Sequence, residues 1–141
     1  YLVIRRYLEE NSLYRKISEY RRDGRILVLC EGDEIIGFVG FLGRGESCWV
    51  TYQFVDPGYQ GRGYGVKLND ALFDVGFREL GFTKIWGATS SIQRGQLKLQ
   101  KKYIGILNEK KGVRWKLELV SEPAKYKWVP IYRINIIYTK I

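Results

Sequence analysis

The stretch Val55-Asp56-Pro57-Gly58-Tyr59-Gln60-Gly61-Arg62-Gly63-Tyr64-Gly65-Val66 decides the reading of the chain. Before it, residues 48–55 (CWVTYQFV) are dense in β-branched and aromatic residues and read as a strand. Asp56-Pro57-Gly58 ends that strand sharply. After it, Leu68, Ala71, Leu72 and Val75 recur at helical spacing, and Gly81 following Leu80 stops the helix. Strand, glycine-dense loop and helix, in that order, make an anion cradle. The first N–H groups of a helix have no partner within it and carry the positive end of its dipole, and glycines let an anion approach them. Two nucleotide loops fail on spacing. Gly58 and Gly63 are separated as in a P-loop, but Tyr64-Gly65 stands where Lys and Ser/Thr are needed. A dinucleotide loop starting at Gly61 and Gly63 requires glycine at position 66, which is Val66.

Working outward, residues 1–22 predict a helix, with Leu8, Leu13, Ile17 and Tyr20 at roughly helical spacing between charges. Residues 25–31 (RILVLCE) and 35–42 (IIGFVGFL) predict a hairpin around Gly32-Asp33, and Gly43 to Glu46 turns the chain into the third strand. Beyond the central helix, residues 82–88 (FTKIWGA) predict a strand. Ser90 and Ser91 then cap a helix with Ile92, Leu99 and Tyr103 inward and Arg94, Lys98, Lys101 and Lys102 largely on another face, closed by Gly105. Residues 112–120 and 129–139 predict two final strands. The order is that of a mixed α/β (α+β) domain, read as one unit over residues 1–141 with a trimmed N-terminus.

At 141 residues the chain is too short for a second full core, while 45% hydrophobic and 15% aromatic residues suffice for one. No run approaches a membrane-spanning length, and nothing near Tyr1 resembles a signal peptide, so a cytoplasmic setting without membrane contact is expected. The absence of histidine excludes His-ligated zinc, a Ser-His-Asp triad and a Cys-His pair. Cys30 and Cys48 lie in apolar strand-like runs and read as reduced core residues; no metal site is expected. Residues 1–93 balance twelve basic against twelve acidic residues. Residues 94–141 set twelve basic residues against Glu109, Glu118 and Glu122, and so carry the whole net charge of +9. Such a block predicts either an anionic partner (nucleic acid, an acidic protein surface or a phosphorylated cofactor) or a solvated basic face.

The loop has the form Q-x-x-G-x-G, from Gln60 to Gly65, with Val55-Asp56-Pro57 before it and an amphipathic helix after it. This combination resembles the acyl-CoA pyrophosphate loop of the GNAT N-acetyltransferase superfamily, in which a strand ending in V-x-P leads into [RQ]-x-x-G-x-[GA]. At residue level the resemblance covers 54–80; by element order it covers about 25–120. It implies a central, mostly antiparallel sheet with splayed fourth and fifth strands, flanked by helices. It implies acetyl-CoA as acyl donor and an amine as acceptor. Backbone at Phe54 and Val55 would pair with the pantetheine arm. N–H groups from Gly61 through Gly65, with Val66, would hold the pyrophosphate. Gln60 would take the first loop position. Arg62 would reach a phosphate or face solvent, and Tyr64 would start the helix.

For catalysis the resemblance implies a base or water chain for the amine proton, an oxyanion donor near Val55, and a tyrosine acid for the thiolate. The family pattern N…Y-x-x-x-G-F is not met around Gly105: four residues before it stands Lys101, and Tyr103 is the nearest candidate acid. Trp49 occupies the position of a strand glutamate used by some members. Two other readings stay open. One is a nucleic-acid-binding module without catalysis, in which Trp115, Tyr126, Trp128 and Tyr132 stack on bases; the other is a fold that binds CoA but has lost activity. Partners expected under these readings are acetyl-CoA, an amine acceptor on protein or RNA, a nucleic-acid or acidic partner for residues 94–141, and a second copy in a homodimer.

Overall fold

A computed structural model describes residues 2–6, 24–31, 34–90, 93–109, 113–123 and 132–141. The chain forms two compact units, residues 1–82 and 83–141. In the first, β1 (Leu2–Arg6), β2 (Gly24–Glu31), β3 (Glu34–Arg44) and β4 (Ser47–Val55) are antiparallel neighbours in that order. The predicted hairpin and third strand are therefore present. The predicted helix over 1–22 is corrected at its start: residues 2–6 form a strand that pairs with β2, Leu2 opposite Glu31 and Arg6 opposite Leu27. The short apolar run Leu2-Val3-Ile4 suits a strand, and the edge of β2 offers it a full ladder of hydrogen bonds. Residues 7–22 of that predicted helix lie outside the described residues.

Two bulges shape the sheet. Leu29 pairs with Gly37 but Cys30 with Ile35, leaving Ile36 as an extra residue on β3; its carbonyl accepts the N–H of Asp56 at 2.8 Å. Gly40 pairs with Tyr52 but Phe41 with Val50, leaving Thr51 as the extra residue on β4. One face of the sheet holds a cluster of Ile26, Val28, Cys30 and Phe38. Against the other packs α1 (Tyr64–Phe73), through Leu68 and Leu72. The helix continues as a wider π turn over Asp74–Glu79 and ends at Gly81. Both cysteines are free and buried; burial pushes the Cys48 thiol up to about 12, so it stays a thiol and serves as packing.

The second unit contains β5 (Lys84–Ser90), α2 (Arg94–Glu109), β6 (Trp115–Pro123) and β7 (Tyr132–Lys140). β7 lies between β5 and β6, antiparallel to both, with Lys84 opposite Thr139 and Trp115 opposite Lys140. Ile85, Tyr103, Leu107, Trp115, Ile136 and Tyr138 are its buried residues of greatest size. β5 starts two residues after the predicted position. Phe82 belongs to the first unit instead, its N–H bonded to the Gly76 carbonyl at 2.9 Å. α2 does not close at Gly105. It runs on to Glu109, where the Asn108 amide bonds the backbone of Trp115 twice: Oδ1 accepts its N–H at 2.8 Å and Nδ2 donates to its carbonyl at 3.0 Å. That pair joins the helix end to the start of β6.

Gly105 is thus an exposed residue inside a helix, with nothing within 4 Å of the place a Cβ would take. Gly105→Ala is expected to stabilise the protein by about 0.5–1 kcal/mol, through the smaller backbone entropy of alanine. A thermal melt should show a rise of roughly 2–5 °C. A lower melting temperature would mean the helix breaks where the glycine stands.

Candidate functional site

The end of β4 is tied down on both sides. The Asp56 N–H bonds back to β3, so by strand alternation the N–H and carbonyl of Val55 point to the opposite edge. There the Gln60 side chain donates to the Val55 carbonyl at 3.0 Å and draws the loop back onto the strand. The carboxylate of Asp56 accepts the Gly58 N–H at 2.9 Å and caps a single 3-10 turn, Pro57–Tyr59. It is therefore engaged before the chain reaches α1.

The start of α1 is open. Its N-cap is Gly63, which has no side chain to satisfy the first amides, and its first turn holds no acidic residue. Helical bonding begins with Lys67 N–H to the Gly63 carbonyl at 3.2 Å. The N–H groups of Tyr64, Gly65 and Val66 precede that bond and have no helical acceptor. Gly61 and Gly63 sit at φ of 77° and 83°, conformations that curl the loop in front of these amides. The space where either would carry a Cβ is empty to 4 Å. A diphosphate fits this donor set: convergent backbone N–H groups, the positive end of a helix, and a loop without side chains in the way.

The surrounding side chains frame the cradle. Arg62 is exposed, with its guanidinium 5.4 Å from the centre of the Tyr59 ring. The Tyr59 hydroxyl donates to Glu34 at 3.0 Å and the Tyr64 hydroxyl to Glu31 at 3.3 Å. The bond to Glu34 holds the Tyr59 phenol above its ordinary pKa, with the carboxylates of Glu34, Glu31 and Asp56 adding to the effect. Phe54 is 46% exposed and leans on Phe38, ring centres 5.8 Å apart. Phe54, Val55 and the run from Gln60 to Val66 accordingly form one continuous piece of structure.

Tyr103 belongs to the second unit. It is fully buried on α2, its ring edge-on to Tyr138 at 6.4 Å. Tyr138 donates to the Gln100 side chain at 2.7 Å, and burial raises its pKa. With α2 running to Glu109, the next glycine is Gly112, and the residue four before it is Asn108, whose amide is held by Trp115. Reading Gly105 as the helix end concealed that alignment. The sequence reading also passed over the link from Gln53 on β4 to Asn69 on α1, a 2.6 Å bond to a residue only 1% exposed. Asn69 stands beside Leu68 on the inward side of the helix, and a polar residue there was the available signal. The Thr51 hydroxyl, at the β4 bulge, is buried without a hydrogen-bond partner among the described residues.

Among the described residues no group of three or more His, Cys, Asp or Glu side chains is placed to hold a metal ion. No helix among them is long and apolar enough to cross a membrane. A sequence model of the acetyltransferase (GNAT) family matches residues 3–105. No curated protein matches the chain by sequence. Among solved structures, an IAA acetyltransferase from Bacillus cereus superposes with a TM-score of 0.72 at 18% identity, covering 100% of both chains. A Bacillus subtilis acetyltransferase in complex with CoA gives 0.74 at 18% identity over 100% of this chain and 99% of that one. A GNAT family acetyltransferase from Elizabethkingia anophelis with acetyl-CoA bound gives 0.71 at 16% identity, over 99% and 98%. At such identities these likenesses speak to the fold.

Proposed function

Because the chain belongs to the GNAT acetyltransferase family, we propose that it transfers the acetyl group of acetyl-CoA to an amine, with the loop Gln60 to Val66 holding the donor's diphosphate. The observation that carries the reading is the uncapped start of α1 behind two glycines of positive φ. Acetyl-CoA, bound there, supplies an activated thioester carbonyl. The chain's own part is mainly to position. Gln60 keeps the loop against Val55, and the Gln53–Asn69 bond keeps β4 in register with α1. The Val55 N–H, directed away from β3, is the backbone donor we assign to a developing oxyanion. Free, buried cysteines support a reducing, cytoplasmic setting.

Proton handling is left to water in this reading. β4 carries no carboxylate, Tyr103 is enclosed in its core, and the Asn108 amide has both arms on Trp115. Those same features favour a second reading, a CoA-binding fold without turnover. Titration calorimetry with CoA, followed by thiol release from acetyl-CoA across a panel of amines, decides among these. Heat with CoA and amine-dependent thiol release supports transfer; heat without release supports the second reading; no heat overturns both. If transfer occurs, Tyr103→Phe is expected to keep kcat within about threefold. A general acid at this position would cost on the order of a hundredfold or more when its hydroxyl is removed.

A further inference from the structure

The face of the first unit's sheet away from α1 changes character from strand to strand. On β2 and β3 it holds the buried Ile26, Val28, Cys30 and Phe38. On β4 it holds Trp49, Tyr52 and Phe54, which pair with Leu42, Gly40 and Phe38 and are 41%, 49% and 46% exposed. The Thr51 bulge makes this alignment. Trp49 and Tyr52 are three residues apart and would face opposite sides of a regular strand; the extra residue between them returns Trp49 to the side of Tyr52 and Phe54. Counted on β3, from Phe38 to Leu42, the aromatic positions run back about 13 Å from the cradle end of β4.

Their place fixes what they meet. In the transfer reading the thioester carbonyl takes the Val55 N–H as a strand neighbour would, with its plane in line with the sheet, and a nucleophile adds from one side of that plane. On one side stand α1 and the Gln53–Asn69 bond. On the other stands Phe54, followed by Tyr52 and Trp49. An amine that adds from there lays the rest of its body along the three rings.

The chemistry of this wall selects the body. No residue that strand pairing puts on this face from Ile26 to Cys30, Phe38 to Leu42 or Trp49 to Phe54 is charged. Glu31 and Glu34, at the β2–β3 turn, already accept from Tyr64 and Tyr59. A second ammonium on the acceptor would therefore lie without a counter-charge, on a chain of net charge +9. A cation over an exposed ring gains only a few-fold in affinity. An aryl group covers the half-exposed rings and also stacks on them, whereas an alkyl chain covers them without stacking. A face without carboxylates also favours the neutral amine, the form that attacks.

Building on the acetyl-transfer reading, we propose that Trp49, Tyr52 and Phe54 select the acceptor: a monoamine carrying an aryl group on a short chain, its nitrogen beside Phe54 and its ring on Tyr52 and Trp49.

The test uses three amines that share a four-carbon chain ending in hydrogen, phenyl or a second amine: butylamine, 4-phenylbutylamine and 1,4-diaminobutane. Binding is measured by equilibrium dialysis, with and without saturating CoA, and turnover by thiol release from acetyl-CoA. 4-Phenylbutylamine should bind about tenfold tighter than either of the others, with the same order in kcat/KM. Trp49→Ala and Tyr52→Ala should each weaken its binding roughly fivefold and leave butylamine unchanged. Trp49→Phe and Tyr52→Phe should stay within about twofold of the native protein. Tyr52→Glu should reverse the order in favour of 1,4-diaminobutane, which reads the wall even if an alanine variant loses its fold. Equal affinity for the three amines, or folded alanine variants that bind 4-phenylbutylamine normally, overturns the proposal, while thiol release would leave transfer standing. Absence of thiol release with every amine counts against transfer, and the binding order then decides the wall by itself. Loss of CoA affinity in Trp49→Ala with amine affinity unchanged overturns the proposal in favour of the donor's own arm. A dimer in sedimentation that Trp49→Ala dissociates, with equal affinity for the three amines, overturns it in favour of a second copy.

Discussion

Gly63→Val is expected to abolish measurable CoA binding in titration calorimetry while leaving the protein folded. Gly63 holds φ 83° and ψ 9° at the N-cap of α1. Nothing lies within 4 Å of the place its Cβ would take, so collision is not the problem. The problem is conformation: an L-residue in the left-handed region is strained by about 1–2 kcal/mol, more for a β-branched one. The backbone relieves that strain by moving to negative φ, which rotates the following peptide and turns the amides of Tyr64 and Gly65 off their common target. A hydrogen bond to a charged oxygen contributes about 1.5–3 kcal/mol. Losing two weakens binding by at least roughly a hundredfold. The strain alone is small beside a typical folding stability of about 5–15 kcal/mol, so a cooperative melt should survive. Gly45→Val is the matched control. Gly45 has φ 59°, equally open surroundings, and a place in the β3–β4 turn away from the cradle. It should lower stability by a similar amount and leave CoA affinity unchanged. Native affinity in Gly63→Val would remove the basis for assigning the diphosphate to this loop.

What could be read in the sequence and what could not divide along a physical line. β2, β3 and β4 were legible because each is an apolar run bounded by a turn, and the cradle was legible because it consists of local backbone chemistry between Val55 and Val66. Features settled by distant partners were not. Residues 2–6 become a strand because β2 has an edge to pair, a fact absent from their own sequence. Gly105 looks like a stop, yet the helix passes it, because Asn108 finds its acceptor and donor on Trp115 beyond the helix. Phe82 reads as the start of a strand; its ring instead lies over Gly43, and β5 starts later for that reason. The bulges at Ile36 and Thr51 are register decisions between strands. Their effect on the site is direct, since the Ile36 bulge supplies the carbonyl that binds Asp56.

Gly37 and Gly43 lie six residues apart on β3 and therefore face the same side of the sheet, yet their replacement should separate stability from binding. In Gly43→Ala the new Cβ would collide with Phe82 Cζ. That ring is 8% exposed and must leave its place, for a loss of about 1–3 kcal/mol and a melting temperature lower by roughly 4–10 °C. Phe82→Leu in the same background should recover part of the loss, since the obstacle is a side chain and the two changes are coupled. CoA affinity should be unaffected. In Gly37→Ala the Cβ would stand 2.7 Å from the Phe54 carbonyl, 3.3 Å from Leu68 Cδ1 and 3.5 Å from Val55 Cα. Here the nearest obstacle is backbone and has no rotamer to change. β4 must shift at its last two residues, taking with it the Val55 carbonyl that anchors Gln60, while Leu68 transmits the displacement to α1. Melting temperature and CoA affinity should then fall together, with no single side-chain substitution restoring either. A destabilised Gly37→Ala protein that still bound CoA normally would show that the strand end and the cradle are mechanically independent, and the positioning role given to Gln60 would go with that result.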